Sequence, residues 1–192
     1  DFEQANARAD LERLARHPKF AGVRPMIQDL PDVDWMHRAD VQWAFEAIVD
    51  LDLTFDGLGL PAHLDDFLRL FERYPSMRAV VDHGMKPAIR DRAFEPWARK
   101  LETIARSTAV CCKLSGLVTE AGAEWTPPAI APYVRHIVDC FGADRVMWGS
   151  DWPVVNLAGG YERWWQAATA LVPLAARDHV FGRTASRFYR IK

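Results

Sequence analysis

The chain has 192 residues, of which 49% are hydrophobic, and this is enough to bury the core of one globular domain and to argue against disorder. Its 24 basic and 26 acidic residues are mixed along the chain and give a formal net charge of −2, so no patch of one sign predicts binding to nucleic acid or to a membrane. No apolar run approaches the roughly 20 residues of a membrane helix, and the odd number of cysteines argues against a disulfide framework. We therefore expect a cytoplasmic protein with free thiols.

Helical and strand periods alternate along the sequence, which is typical of a parallel α/β fold. The pattern begins with a helix over 3–16 and a strand over 20–27, and it repeats at intervals of about 30 residues, as in a βαβ unit. The further strands are predicted over 54–60, 78–83, 109–116 and 146–151. The further helices are predicted over 41–49, 63–74, 92–106, 129–140, about 160–171 and 184–189.

Two architectures fit this repeat, the doubly wound sheet and the eight-stranded barrel. A dinucleotide-binding sheet carries a G-x-G-x-x-G turn after its first strand, and none of the predicted strands is followed by one. Polar residues stand instead at or near the carboxyl ends of four strands, where a barrel assembles its active site. These residues are Arg24, His83, Lys113 with Ser115, and Asp151. The sequence therefore predicts a barrel.

The segment 149–153, Gly-Ser-Asp-Trp-Pro, directly follows the apolar run 146–148, which places its carboxylate at the rim of a strand. By alternation we expect Asp151 in the barrel mouth, where it can take a proton from water as a general base. The alternative interpretation is a helix N-cap. Trp152 is expected to form either a wall of the substrate site or a plug of the core.

His83 ends its strand in the same way, on the face predicted for Ala79 and Val81. A neutral imidazole can donate to a carbonyl oxygen or bind a metal there, and Asp82 or a backbone carbonyl is expected to fix its tautomer. A structural histidine is the alternative, and the pairing with Asp151 favours catalysis.

Three further residues are predicted to bind substrate. Arg24 on a buried strand face needs a carboxylate neighbour or an anionic substrate. Lys113 and Ser115 share a face of their strand, and the alternative for them is a structural ion pair with a hydrogen-bonded hydroxyl. Lys86, beyond its strand and before Pro87, is interpreted as a loop residue.

Metal binding is a competing use of His83 and Asp151, which are then the predicted ligands. A stable divalent site needs three or more ligands, and the sequence contains no H-x-H or H-E-x-x-H pair. The other histidines fall on predicted helices or loops, namely His17, His37, His63, His136 and His179. We therefore expect either no required cofactor or one divalent metal, zinc.

Four segments, taken in order, resemble the amidohydrolase superfamily, in the branch of TIM-barrel hydrolases that includes sugar-lactone hydrolases such as fuconolactonases and the pyrone-dicarboxylate lactonase. The segments are 22–29, 82–87, 113–121 and 149–153, so the similarity covers nearly the whole chain. The resemblance implies that Asp151 is the general base, that His83 is an electrophile or metal ligand, and that Arg24 lies in the substrate site.

The resemblance also implies an α/β fold of the (β/α)8 TIM-barrel type, with one domain over 1–192 that comprises the C-terminal five βα units and lacks the first three strands. The family's first strand bears an H-x-H pair, which this sequence lacks. We expect a hydrolase of a small-molecule lactone, in which a homo-oligomer or an upstream segment covers the sheet edges. The alternatives are a metal-dependent decarboxylase or amide hydrolase of the same superfamily, and a catalytically silent fragment.

Overall fold

The computed structural model describes residues 2–191, which form five strands and eight α-helices, none of them long and apolar enough to cross a bilayer. The strands are β1 Gly22–Val23, β2 Thr54–Gly57, β3 Arg78–Val81, β4 Cys111–Leu114 and β5 Val146–Trp148. The helices are α1 Ala7–Ala15, α2 Gln42–Asp50, α3 Leu64–Arg73, α4 Glu95–Ser107, α5 Leu117–Ala121, α6 Pro127–Phe141, α7 Gly160–Leu171 and α8 Thr184–Tyr189. Every predicted strand is confirmed at a shorter length, and α5 is an addition to the predicted helices.

The strands form one parallel sheet in the order β1-β2-β3-β4-β5, which is also their order in the sequence. The register pairs Asp56 with Val80 and Lys113 with Met147. Parallel neighbours that follow each other along the chain, with a helix between them, are the repeating unit of a barrel. The carboxyl ends of all five strands therefore meet along one edge, the C-terminal edge of the sheet.

Strand alternation gives the sheet two different faces. The outer face packs on the helices and carries the larger core, in which Phe55 and Cys112 are fully buried. The inner face carries a smaller cluster, made of Val80, Cys111 and Met147, against which α8 packs. Cys111 and Cys112 thus lie on opposite faces, and all three cysteines are free thiols.

Helix α8 covers the inner face near the amino ends of the strands. Arg78, the first residue of β3, donates a hydrogen bond to the Phe188 carbonyl at 2.7 Å. The Tyr189 hydroxyl reaches further in and donates to Asp56 Oδ2 at 2.7 Å. The last helix is therefore tied both to the start of a strand and to a carboxylate within β2.

Gly22 in β1 lies so close to β2 that a side chain has no room. A Cβ at this position would lie 2.0 Å from Thr54 Oγ1 and 2.2 Å from the Thr54 carbonyl oxygen. We expect Gly22→Ala to push β1 away and to lower the free energy of unfolding by about 1–3 kcal/mol, as overpacking does. Urea unfolding followed by tryptophan fluorescence measures this loss. Gly182→Ala is the control, because an added Cβ there meets nothing within 4 Å. Equal unfolding midpoints for the two variants would contradict the close approach.

Candidate active site

Three predicted site residues meet at the C-terminal edge of the sheet. His83 follows β3, Ser115 follows β4 directly, and Asp151 lies shortly after β5. His83 Nδ1 is 2.7 Å from Ser115 Oγ, and His83 Nε2 is 3.5 Å from Asp151 Oδ1. The imidazole therefore lies between a hydroxyl on one side and a carboxylate on the other.

The chain turns directly after β3 through left-handed backbone. Four consecutive residues have positive φ, namely His83 at 54°, Gly84 at 54°, Met85 at 60° and Lys86 at 49°. A non-glycine residue in this region costs roughly 1–2 kcal/mol, and such costs cluster at functional sites. The Trp97 indole N–H donates to the Gly84 carbonyl at 2.6 Å and anchors the turn.

This turn corrects two expectations about His83. The prediction that it shares a face with Ala79 and Val81 is wrong, because β3 ends at Val81 and the alternation stops there. Ala79 and Val81 pack into the core under the helices. The prediction that Asp82 or a backbone carbonyl fixes the tautomer is also wrong, because the partner of Nδ1 is Ser115.

Two glycines make room for the contact between His83 and Ser115. Gly116 has a φ of 68°, and a Cβ on it would lie 2.7 Å from His83 Cγ. A Cβ on Gly149 would lie 3.2 Å from the Ser115 Cβ. The glycine at 116 therefore serves both the left-handed backbone and the close approach of the imidazole.

Asp151 is held by contacts of the backbone around it. The Trp164 indole N–H donates to the Gly149 carbonyl at 3.0 Å, and the Asp151 carbonyl accepts the Val155 N–H at 2.9 Å. In the described part of the chain, the following turn, Val154–Ala158, has no side-chain cap, so the N-cap interpretation of Asp151 is wrong. The carboxylate faces His83 instead.

Burial controls the charge of the His83–Asp151 pair. It lowers the pKa of His83 to about 4, with Asp151 opposing the shift and Lys86 adding to it. Burial also raises the pKa of Asp151, against the opposing effects of His83 and Lys86. The imidazole is therefore neutral at neutral pH and carries one N–H. With that proton on Nε2, facing Asp151, Nδ1 accepts the hydrogen bond of the Ser115 hydroxyl.

A second group of charges lies beneath the site. The Lys113 ammonium is 2.6 Å from Asp56 Oδ2 and 2.8 Å from Asp82 Oδ1. Burial disfavours the charged lysine, but the Asp82 and Asp56 carboxylates outweigh it and raise the pKa of Lys113. This geometry favours the structural ion pair for Lys113, and its binding to substrate stays a prediction.

Arg24 and Trp152 are accessible at the same edge. The prediction of a buried strand face for Arg24 is wrong, because β1 ends at Val23 and the Arg24 side chain is 48% exposed. The expected carboxylate neighbour is Asp82, whose Oδ2 lies 3.6 Å from Arg24 Nη1. Trp152 is 70% exposed, so the interpretation as a plug of the core is wrong. Both side chains are exposed to solvent there, and their substrate-binding roles stay predictions.

The interpretation of Lys86 as a loop residue is confirmed, because it lies outside the helices and strands, but its contacts beside the candidate site were not predicted. Its ammonium donates to Gln28 Oε1 at 2.8 Å and lies 3.5 Å from Glu120 Oε1. Besides burial, its charge acts on the pKa of both His83 and Asp151. No local pattern in the sequence indicates these contacts, because they depend on the left-handed turn at 83–86.

The described residues supply two donors for a divalent metal. Within residues 2–191, no group of three or more His, Cys, Asp or Glu side chains is arranged to hold a metal ion. His83 and Asp151 face each other as a pair only. Catalytic zinc sites have three protein ligands, so these two residues alone do not make a complete site.

The neutral state of His83 leads to a titration test. With a pKa of about 4, its ring stays neutral in a range where an ordinary histidine, with a pKa of about 6.5, becomes protonated. We expect the ring-proton shifts of His83 to stay constant between roughly pH 8 and 5 in NMR spectra. The His83→Asn variant identifies the signals. A titration midpoint near 6.5 would show that the imidazole is not desolvated as described.

Similarity to known proteins extends over the whole chain. The sequence profile of the amidohydrolase family matches residues 2–191. The L-fucono-1,5-lactonase of Burkholderia ambifaria is 44% identical over 100% of this chain and 68% of its own length, and that of Burkholderia multivorans is 34% identical over 99% and 70%. A crystal structure of a Burkholderia multivorans amidohydrolase with bound zinc matches 100% of this chain and 72% of its own, with 31% identity and a TM-score of 0.88. The five-stranded sheet is accordingly part of a TIM barrel, and the chain belongs to the amidohydrolase family.

Proposed function

We propose that this chain is a hydrolase of sugar lactones and that Asp151 and His83 are its catalytic residues. The observation that carries the proposal is the contact between His83 Nε2 and Asp151 Oδ1, at 3.5 Å, on the C-terminal edge of the sheet. Active sites of TIM barrels lie at this edge. The similarity to two L-fucono-1,5-lactonases supports a six-membered sugar lactone as the substrate.

Asp151 accepts a proton from the attacking water. Burial raises the pKa of this carboxyl group, which makes the carboxylate a stronger base than an exposed one. The water oxygen adds to the carbonyl carbon of the lactone, and collapse of the tetrahedral intermediate breaks the ring C–O bond. The proton on Asp151 then passes to the leaving alkoxide, which yields the open-chain hydroxy acid.

His83 donates a hydrogen bond to the carbonyl oxygen as negative charge develops there. A neutral imidazole can do this through Nε2–H without giving up its proton. Ser115 is only 2% exposed and bonds to Nδ1, so we assign it the positioning of His83 rather than contact with substrate. Preorganised donors of this kind lower the barrier because they need no reorientation during the reaction.

Arg24 is the cation that faces the substrate in this proposal. Its guanidinium is half exposed, whereas the Lys113 ammonium is held between Asp56 and Asp82. Asp82 therefore orients Arg24, and Lys113 balances the charge of Asp82. Trp152, exposed beyond β5, forms a wall for the lactone ring.

One divalent metal ion is the proposed alternative to a site without a cofactor. Zinc is bound in the similar Burkholderia multivorans structure. For this chain we propose His83 and Asp151 as the two contacts of such an ion, where it would polarise the carbonyl group. The catalytic steps proposed for Asp151 and His83 involve side chains alone.

We also propose one domain over 1–192, a small-molecule ligand and a cytoplasmic location. The three free thiols are consistent with a reducing compartment. A homo-oligomer stays a prediction. Decarboxylation and amide hydrolysis are not favoured, because the two relatives described above, at 44% and 34% identity, are lactonases.

Asp151→Asn tests the general base. The substitution keeps the shape and removes the proton acceptor, so we expect kcat for L-fucono-1,5-lactone to fall by roughly 10²-fold or more. Since burial raises the pKa of Asp151, we also expect the acid limb of the kcat/KM profile to lie above pH 3.8. A pH-stat assay measures both. Asp139→Asn, an exposed carboxylate near the end of α6, is the matched control and should keep full activity.

His83→Asn separates the two roles proposed for the imidazole. We expect a smaller loss of rate than in Asp151→Asn if His83 only polarises the carbonyl, and a loss of metal content if it binds an ion. Turnover by Asp151→Asn within about threefold of the parent would mean that another group activates water. A folded parent chain that hydrolyses no lactone would instead support the catalytically silent alternative.

A further inference from the structure

A polar cluster beside the His83–Asp151 pair takes no part in the proposed mechanism. It consists of Gln28, Lys86 and Glu120, and Lys86 Nζ lies 2.8 Å from Gln28 Oε1 and 3.5 Å from Glu120 Oε1. The three residues come from segments that follow β1, β3 and β4. They therefore meet at the C-terminal edge of the sheet, where the candidate active site lies.

The cluster is close to the reacting groups. The Lys86 backbone N–H donates to the His83 carbonyl at 2.9 Å, so both residues belong to the same turn. After burial and Asp151, the Lys86 charge has the largest effect on the pKa of His83, ahead of Lys113 and Arg24. The Lys86 ammonium ion thus belongs to the immediate surroundings of the imidazole.

The side chains in the cluster are accessible and weakly bound to one another. Lys86 and Glu120 are 22% and 26% exposed. A partly exposed ion pair contributes about 0–1 kcal/mol, so the fold does not depend on it. Their polar groups can therefore exchange partners with a ligand.

The chemistry of the cluster matches hydroxyl groups. An ammonium ion offers three donors, a carboxylate offers only acceptors, and an amide offers both. A hydroxyl group donates one hydrogen bond and accepts others, so hydroxyls on adjacent ring carbons satisfy such a mixture. A lactone without hydroxyl groups would gain nothing from this cluster, whose members would keep one another as partners.

We propose that Gln28, Lys86 and Glu120 form a hydroxyl subsite, which binds the ring hydroxyl groups of the lactone while its carbonyl faces His83. This inference rests on the proposed function and deepens it by naming the feature of the substrate that is recognised. Binding energy from the hydroxyls orients the carbonyl for attack.

The test compares two six-membered lactones, L-fucono-1,5-lactone and δ-valerolactone, which has the same ring without hydroxyl groups. In Lys86→Met, we expect kcat/KM for the sugar lactone to fall about 10- to 100-fold, the usual effect of losing hydrogen bonds to a charged group. Because the Lys86 charge also acts on His83 and Asp151, the value for δ-valerolactone should fall too, but by a smaller factor, so that the preference for the sugar lactone drops at least about threefold. Glu120→Gln should shift the ratio in the same direction by a smaller factor.

Lys100→Met is the matched control, because it removes one lysine charge on α4, where Lys100 pairs with Asp65 at 2.7 Å. It should leave the ratio of the two lactones unchanged. Calorimetric binding of the two open-chain products repeats the comparison without turnover; both are carboxylates, and Lys86→Met should weaken the polyhydroxylated product by the larger factor.

The outcomes separate the two proposals. A Lys86→Met variant that loses activity equally on both lactones would show an electrostatic or structural role and would overturn the hydroxyl subsite. Parental affinity of this variant for the polyhydroxylated product would overturn it as well. A parent chain that hydrolyses neither lactone and binds neither product would overturn the proposed function itself.

Discussion

The burial of the Asp82 carboxylate is the constraint on which the C-terminal edge of the sheet depends. The residue is fully buried, and in the described part of the chain neither of its oxygens has an aligned hydrogen-bond donor. Lys113 and Arg24 balance its charge through ion pairs of 2.8 and 3.6 Å. Removing one partner of a buried pair costs roughly 3–5 kcal/mol, so Lys113 cannot turn to a substrate without that loss.

The same charges connect the two ends of the sheet. Tyr189 on α8 donates to Asp56 at 2.7 Å, and Asp56 and Asp82 share the Lys113 ammonium. Asp82 in turn pairs with Arg24 at the C-terminal edge of the sheet. A helix that packs near the amino ends of the strands thus helps to fix a cation at their carboxyl ends.

The sequence alone predicts the framework of the site because that framework follows from short-range patterns. Polar residues at strand ends bring His83, Ser115 and Asp151 together, as the distances confirm. The contacts of Lys86 with Gln28 and Glu120 were not predictable in this way, because they depend on a left-handed turn for which non-glycine residues give no local signal. Helix α5, Leu117–Ala121, was missed because five residues are too few for a helical period to appear.

The close contact between Gly116 and the imidazole has a consequence for protein engineering. A Cβ at 116 would lie 2.7 Å from His83 Cγ, so the two positions behave as one unit in any mutational library. Diversifying the loop after β4 at this residue would displace the ring before it altered selectivity. Glu120, four residues further along and part of the proposed hydroxyl subsite, makes no such close contact and is the better position at which to test altered selectivity.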